Sequence, residues 1–326
     1  MDFTPSHFDP GPYDPITGTV ARSFAPAGGK PSLYVYDRAL VLAINVALAA
    51  RRPLLLAGEP GSGKTTLARN IALVLGWSYY ETTITSRTQS ADLLWEFDAL
   101  ARLNAANTRD GKDLLDDGFY VQPGPLWWAL APDSAARRGL AAGTPGLADH
   151  GLQDPGVPQG GTDAVLLVDE LDKAEPEVPN DLLEVVDARS FRIKTEAVEA
   201  SRDQVLMLFS TNGERDFPGA FERRCVVYRF PDERPAAWYV QVAQRWLPDT
   251  PAAVAADVAQ RLVECRSDAR AASQRMPGTA EYLDALRAMQ LLKIGYVAGQ
   301  PLAEQSPAWR ELEALVFRKA TSAAGA

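Results

Sequence analysis

The 326-residue sequence reads as an α/β protein, a parallel sheet flanked by helices and followed by an all-α C-terminal lid, on three observations. An apolar run ending at Leu56 and Ala57 passes through Gly58-Glu59-Pro60-Gly61-Ser62-Gly63-Lys64-Thr65-Thr66 into an Ala/Leu-rich helical pattern. This is G-x-x-x-x-G-K-[ST] between a strand and a helix, the phosphate-cradling P-loop. A second run, Ala164-Val165-Leu166-Leu167-Val168, has the unbroken hydrophobicity of a parallel strand buried on both faces and ends in Asp169-Glu170. After Pro231 the pattern turns to Ala-rich amphipathic helices. Together these are the pattern of a P-loop NTPase sheet with a helical lid.

With 46% hydrophobic residues, the chain can bury one good core and a second, smaller one. The expected organisation is an extended arm over 1–31, an α/β nucleotide-binding domain over 32–232 and a helical lid over 233–326. No apolar run approaches the roughly 18 residues that a membrane span needs, and the N-terminus does not read as a signal peptide, so the expected compartment is the cytoplasm. The formal charge of -9 and the pI near 4.9 argue against broad binding to nucleic acid or anionic membrane. Cys225 and Cys265 are too few for a zinc site and read as small buried hydrophobes, and His7 and His150 alone exclude a histidine metal centre.

Taken in order, residues 1–31 are rich in Pro, Gly and Asp, and the scattered Phe3, Phe8, Tyr13 and Phe24 favour packing over disorder. Helical spacing runs from Tyr36 to Ala50, and Arg51-Arg52-Pro53 stops it before a strand over Leu54 to Ala57. The P-loop helix should run to Leu75, with Gly76 as its terminator. A strand follows from Ser78 to about Thr85, then a helix reopening with Ser90 as its cap. Residues 96–124 read as a hairpin inserted into a helix, or alternatively as an ordinary surface loop, with exposed aromatics at the tip as the mark of the insertion. Residues 139–162, dominated by Gly, Pro and Ala, read as a flexible loop that is an inert insertion rather than a functional lid. Beyond the Asp169-Glu170 strand come a helix from Val178 to Asp187, a hairpin of Phe191 to Ile193 with Glu196 to Ala200, and a strand from Val205 to Phe209 ending in Ser210-Thr211-Asn212. Phe217 to Arg224 precedes another β-rich run, Cys225 to Phe230; helices are then expected over 235–246, 252–267, 279–292 and 309–320.

The chemistry follows from the motif order. Loop N–H groups and a helix N-terminus favour phosphate, Lys64 would reach the β- and γ-phosphates, and Thr65 would offer a hydroxyl to Mg²⁺. Asp169 would hold Mg²⁺ directly or through water, and Glu170 would polarise the attacking water. Asn212 is placed to orient that water, and Arg223 or Arg224 could be donated across a subunit boundary to a γ-phosphate. Asp172 and Lys173 read as a solvated helix start. The implied ligands are a nucleoside triphosphate and Mg²⁺.

Gly58 to Thr65, Val165 to Glu170, Ser210 to Asn212 and Arg223-Arg224, followed by a helical lid, resemble the AAA+ ATPases. Ser90-Ala91-Asp92-Leu93-Leu94, the insert and Gly124-Pro125-Leu126 look like the MoxR branch. The resemblance implies a hexameric ring with ATP at subunit interfaces, Asn212 as polar sensor and an arginine of the pair as the trans finger. It also implies remodelling of a partner protein, often one with a von Willebrand factor A domain. Two departures stand out: Trp95 replaces a glycine usual in the branch, and Arg275-Met276-Pro277-Gly278-Thr279-Ala280-Glu281 lacks the lid's second sensor arginine at its usual place, so that either Arg275 substitutes for it or that sensor is absent. Competing readings are a McrB-like motor acting on nucleic acid, disfavoured by the acidic charge, and an ATP-gated assembly scaffold, disfavoured by Glu170. A P-loop kinase would leave the Asp-Glu strand, Asn212 and the arginines unexplained.

Overall fold

The computed structural model describes residues 7–12, 19–24, 32–108, 116–157, 161–193, 196–296, 302 and 306–318. Strand β1 (Thr19–Phe24) pairs antiparallel with β2 (Ser32–Asp37), and helix α1 (Arg38–Ala50) follows at once. The helix therefore starts two residues later than its apolar spacing suggests, because Asp37 caps it by accepting the Leu40 N–H at 2.8 Å while Tyr36 stays in the strand. In the N-terminal arm, Phe8 is fully buried with its ring 5.3 Å from that of Tyr36, and Asn45 Oδ1 accepts the amides of His7 and Phe8. Phe3 and Tyr13 lie outside the described residues, and Phe24 is described only as backbone in β1.

After Arg51, which turns left-handed at φ 53°, β3 (Leu54–Ala57) leads through the P-loop into α2 (Lys64–Leu75), and Gly76 ends that helix at φ 71°. Strand β4 (Ser78–Thr83) precedes α3 (Ser90–Leu94), where the expected cap is corrected. Ser90 is the first helical residue and donates its Oγ to Asp181 at 2.7 Å, while Asp92 Oδ2 accepts the Gln89 N–H at 2.9 Å. The insert does form a hairpin, β5 (Trp95–Phe97) against β6 (Val121–Pro123), but it carries α4 (Ala99–Thr108) between its strands. Its aromatics Phe119 and Tyr120 are buried, and the exposed apolar residues are Leu100 and Leu103 of α4. Trp95, the unexpected residue here, donates its indole N–H to the Arg192 carbonyl at 3.2 Å and so ties the insert to the body of the domain.

Short helices α5 (Pro125–Leu130), α6 (Pro132–Ala136) and α7 (Leu147–His150) follow. The stretch 139–162 is thus less featureless than its composition suggests: it includes α7, Val157 bridges to Tyr79, and Tyr80 donates its hydroxyl to Asp154 at 2.8 Å. These contacts lay it along β4, the edge strand, which needs such cover. Then come β7 (Ala164–Asp169), α8 (Val178–Ala188), the hairpin β8 (Ser190–Ile193) and β9 (Glu196–Glu199), β10 (Val205–Thr211), α9 (Gly219–Arg224) and β11 (Val226–Arg229).

Five parallel strands form the central sheet in the order β11-β3-β10-β7-β4. Both faces are apolar, as a parallel sheet between helices requires: Leu55, Leu166, Val168, Met207 and Phe209 face one core, and Leu54, Leu56, Val165, Leu167 and Leu208 the other. The C-terminal helices α10 (Ala236–Trp246), α11 (Ala252–Ala271) and α12 (Thr279–Leu291), with a last helix Pro307–Glu313, enclose a separate core around Tyr239, Tyr282 and Trp309. Cys225 and Cys265 are free and buried, and burial pushes their thiols up to about 12 and about 11, so they behave as inert hydrophobes. Among the described residues, no helix is long and apolar enough to cross a membrane.

Candidate nucleotide-binding site

Strands β3, β10 and β7 are neighbours running the same way, so the loops at their C-terminal ends meet at one edge of the sheet. Those loops carry Gly58 to Gly63, Asn212, and Asp169-Glu170. Gly61 and Gly63 hold φ of 81° and 94°, a region that a side chain rarely tolerates. At Gly58 the constraint is space instead, since a Cβ would lie 2.8 Å from that of Phe230. Lys64 opens α2 with its side chain curled into the loop: Nζ donates to the Gly58 carbonyl at 2.7 Å, the Glu59 carbonyl at 3.1 Å and Asn212 Oδ1 at 2.9 Å. Burial lowers its pKa, and the surrounding carboxylates of Asp169, Asp172, Glu170 and Glu59 oppose that shift. Thr65 donates its hydroxyl to Asp169 Oδ2 at 2.8 Å. The other Asp169 oxygen accepts from Ser210 Oγ and from the Glu170 N–H at 3.1 Å.

The donor set fits a phosphate and a hard cation. Ser62 Oγ is buried without a hydrogen-bond partner, a cost that a phosphate oxygen would relieve, and the Lys64 side chain at the end of the same loop is buried too. The Thr65 hydroxyl and Asp169 carboxylate converge as the oxygen ligands that Mg²⁺ takes. Residues 53–225, more than half of the chain, match the AAA domain family in its dynein-related subfamily. The chain belongs to that family.

The matched AAA domain is an ATPase domain with the P-loop NTPase fold. Among solved structures, the chain is similar to a protein of Cytophaga hutchinsonii described as a candidate ATPase, at 14% identity over 76% of this chain and 66% of that one, TM-score 0.40. It is also similar to Thermotoga maritima RuvB in a point-mutant form, at 17% identity over 78% and 69% of the two chains, TM-score 0.39. The RuvB Holliday junction branch migration motor of the same organism gives 17% identity over 78% and 67%, TM-score 0.37. The chain spans just under two thirds of the Cytophaga protein. No curated protein sequence matches it.

Within the AAA domain, Glu170 sits at a positive φ of 60°, a conformation costing a non-glycine residue on the order of 1–3 kcal/mol. Ser210 helps hold it there, accepting the Glu170 N–H at 2.9 Å, and Lys173 donates to its Oε2 at 2.7 Å. Asp172 is a correction to the sequence reading: instead of opening a solvated helix it is 2% exposed, and its Oδ2 accepts the N–H groups of Asn212 and Glu214 at 3.0 Å each. The roles of Asp172 and Ser210 are not legible in the sequence because each acts across about forty residues, and neither residue type signals that in a local window.

Arg223 and Arg224 are not brought to this cluster. They end α9 just before β11, and Val226 is in register with Leu54, so they stand at the N-terminal ends of the strands, opposite the P-loop. Three residue steps along the strand separate those ends, roughly 10 Å of backbone. Both arginines are exposed, and Arg224 lies 3.8 Å from Asp187 in a long surface pair. In the lid, Arg275 donates to Glu281 Oε1 at 2.9 Å. Thr66 lines a cavity of about 240 Å³ beside the P-loop, together with Tyr34 of β2, Trp238 and Trp246 of α10, and Leu283 of α12. Glu59 and Pro60 line a smaller adjoining cleft.

Proposed function

We propose that this chain is a Mg²⁺-dependent ATPase of the MoxR branch, working as a ring, a hexamer by that resemblance, in the cytoplasm, and using ATP hydrolysis to remodel a partner protein. The observation that carries this reading is the division of the catalytic groups: Lys64, Thr65, Asp169, Glu170 and Asn212 cluster at one end of the sheet, while Arg223 and Arg224 face outward at the other. In this reading Lys64 exchanges its backbone carbonyls for the β- and γ-phosphate oxygens, and the segment Gly58 to Thr66 wraps the triphosphate with its N–H groups, of which Pro60 has none. Tyr34 and Trp238 offer aromatic surface to the base in the adjoining cavity. Thr65 and Asp169 would hold Mg²⁺, which supplies charge neutralisation on the phosphates. Glu170 takes a proton from water as the water oxygen bonds to the γ-phosphorus and the bond to the β,γ-bridging oxygen breaks; to do so its carboxylate must leave Lys173. Asn212 orients that water, and an arginine from the next copy neutralises the transferring group.

A von Willebrand factor A protein is the client class that the resemblance suggests. The Glu170→Gln protein should bind ATP without releasing phosphate, and Lys64→Ala should lose binding in a fluorescent-nucleotide titration. Parental phosphate release by Glu170→Gln contradicts the assignment. For the client, the ATP-locked Glu170→Gln ring should retain a purified von Willebrand factor A protein encoded beside it, and should release it when nucleotide is removed.

A further inference from the structure

One guanidinium joins four parts of the molecule at the edge of the P-loop. Arg266, in the last third of α11, is almost buried, its side chain 11% exposed. It donates to Glu59 Oε2 at 3.0 Å, to the Asp232 carbonyl at 2.7 Å and to the Pro277 carbonyl. Those acceptors belong to the P-loop, to the linker between β11 and α10, and to the turn before α12. A planar fork with five donors can serve three acceptors in fixed directions; a lysine ammonium on a flexible stem cannot do so equivalently. Glu59 is held from its other side as well, since its backbone carbonyl accepts from Lys64 Nζ at 3.1 Å. The lid arginine and the phosphate-binding lysine therefore grip the same residue.

The lid has no competing cation at the place where the resemblance expects one. Thr279-Ala280-Glu281 puts a buried carboxylate there: Glu281 Oε2 accepts the Gly278 N–H at 3.0 Å and would lie 3.4 Å from a Cβ on Gly61. Arg275 is committed to that carboxylate. Among the described residues, Arg266 is the lid arginine bonded directly to a P-loop side chain.

We propose that Arg266 is the positioning residue through which the helical lid registers an occupied P-loop, acting on Glu59 and not on the nucleotide. This rests on the ATPase reading above. When Lys64 turns toward phosphate, the Glu59 carbonyl loses that partner, and the Arg266 bridge transmits the altered turn to α11 and to the segment before α12. Linkage makes the effect mutual: a lid held on Glu59 keeps the turn shaped for phosphate.

The test uses the full chain carrying Glu170→Gln, so that binding is read without turnover, and a fluorescent ATP analogue as probe. Arg266→Ala and Glu59→Gln should each weaken binding about tenfold, within the usual range of coupling between sites. The double variant should bind no more weakly than either single one, because both remove the same interaction. Arg266→Lys should recover little affinity while melting at the parental temperature, which separates positioning from folding. With fluorophores on Leu42→Cys and Leu292→Cys, the distance between α1 and the lid should change with nucleotide, and that change should vanish in Arg266→Ala. Parental affinity in Arg266→Ala, or losses that multiply in the double variant, overturns the proposal while leaving the ATPase reading intact. No binding by the Glu170→Gln parent overturns both.

Discussion

The two ends of the central sheet are built on opposite principles. At the C-terminal end, Lys64, Thr65, Asp169, Ser210, Asn212 and Asp172 each make hydrogen bonds of about 3 Å within the cluster. At the N-terminal end, Arg223 and Arg224 project into solvent with one long surface pair, an interaction worth at most about 1 kcal/mol. The first network preorganises a site inside its own chain. The second leaves exposed charge at almost no cost to the fold, and in the proposed ring that charge would serve the next copy. A site completed by a second copy has this asymmetry built into each copy.

Variants at the two ends should therefore behave differently. The largest effect is expected at the outward end: Arg223→Ala and Arg224→Ala are to be compared, and the one that acts in trans should lower kcat by about 10³-fold or more. Its melting temperature and its affinity for nucleotide should stay parental, as measured by phosphate release, calorimetry and titration. At the inward end, Asp172→Asn should disturb folding and turnover together. Weakening the acceptor of two buried amides costs about 1–3 kcal/mol, visible as a lower melting temperature, and kcat should fall about tenfold as Asn212 loses its anchor. Ser210→Ala should act in the same sense but less, since Asp169 retains the Thr65 hydroxyl and the Glu170 N–H; a kcat loss of about fivefold is expected from one lost hydrogen bond. Lys173→Met should have the smallest effect and the opposite sign. Freeing Glu170 from a half-exposed pair should raise basal kcat about two- to threefold, in line with the small energy of such pairs. A stability loss from the arginine variants, or none from Asp172→Asn, would erase the distinction between the two ends.

Much of the inward end is legible in the sequence, because its signals are local. Glycines at fixed offsets, an apolar run ending in Asp-Glu and a third strand ending in Asn each lie within ten residues, and the sheet order then brings them together. What stays hidden depends on separation along the chain. Asp172 reads as a solvated charge until β10 places Asn212 over it, and Arg266 is one polar residue of a long helix until Glu59, 207 positions away, lies beside it. The N-terminal arm and the segment after it hide a strand pair for the same reason: β1 and β2 are defined by pairing with each other, and Tyr36 of β2 also fits the helical spacing of α1. Residues 139–162 look empty in composition because their contacts run through backbone and through Asp154, which no window of Gly, Pro and Ala displays.

The central claim is that each site is divided between two copies, and mixing tests it directly. Glu170→Gln rings retain both arginines, and rings lacking the trans arginine retain Glu170, so each parent alone should be inactive. When the two are dissociated and reassembled together, roughly a quarter of randomly formed interfaces in a closed head-to-tail ring would pair an intact Glu170 with an intact arginine. Steady-state phosphate release by the mixture should then rise well above both parents. A mixture as inactive as its components would contradict the shared site.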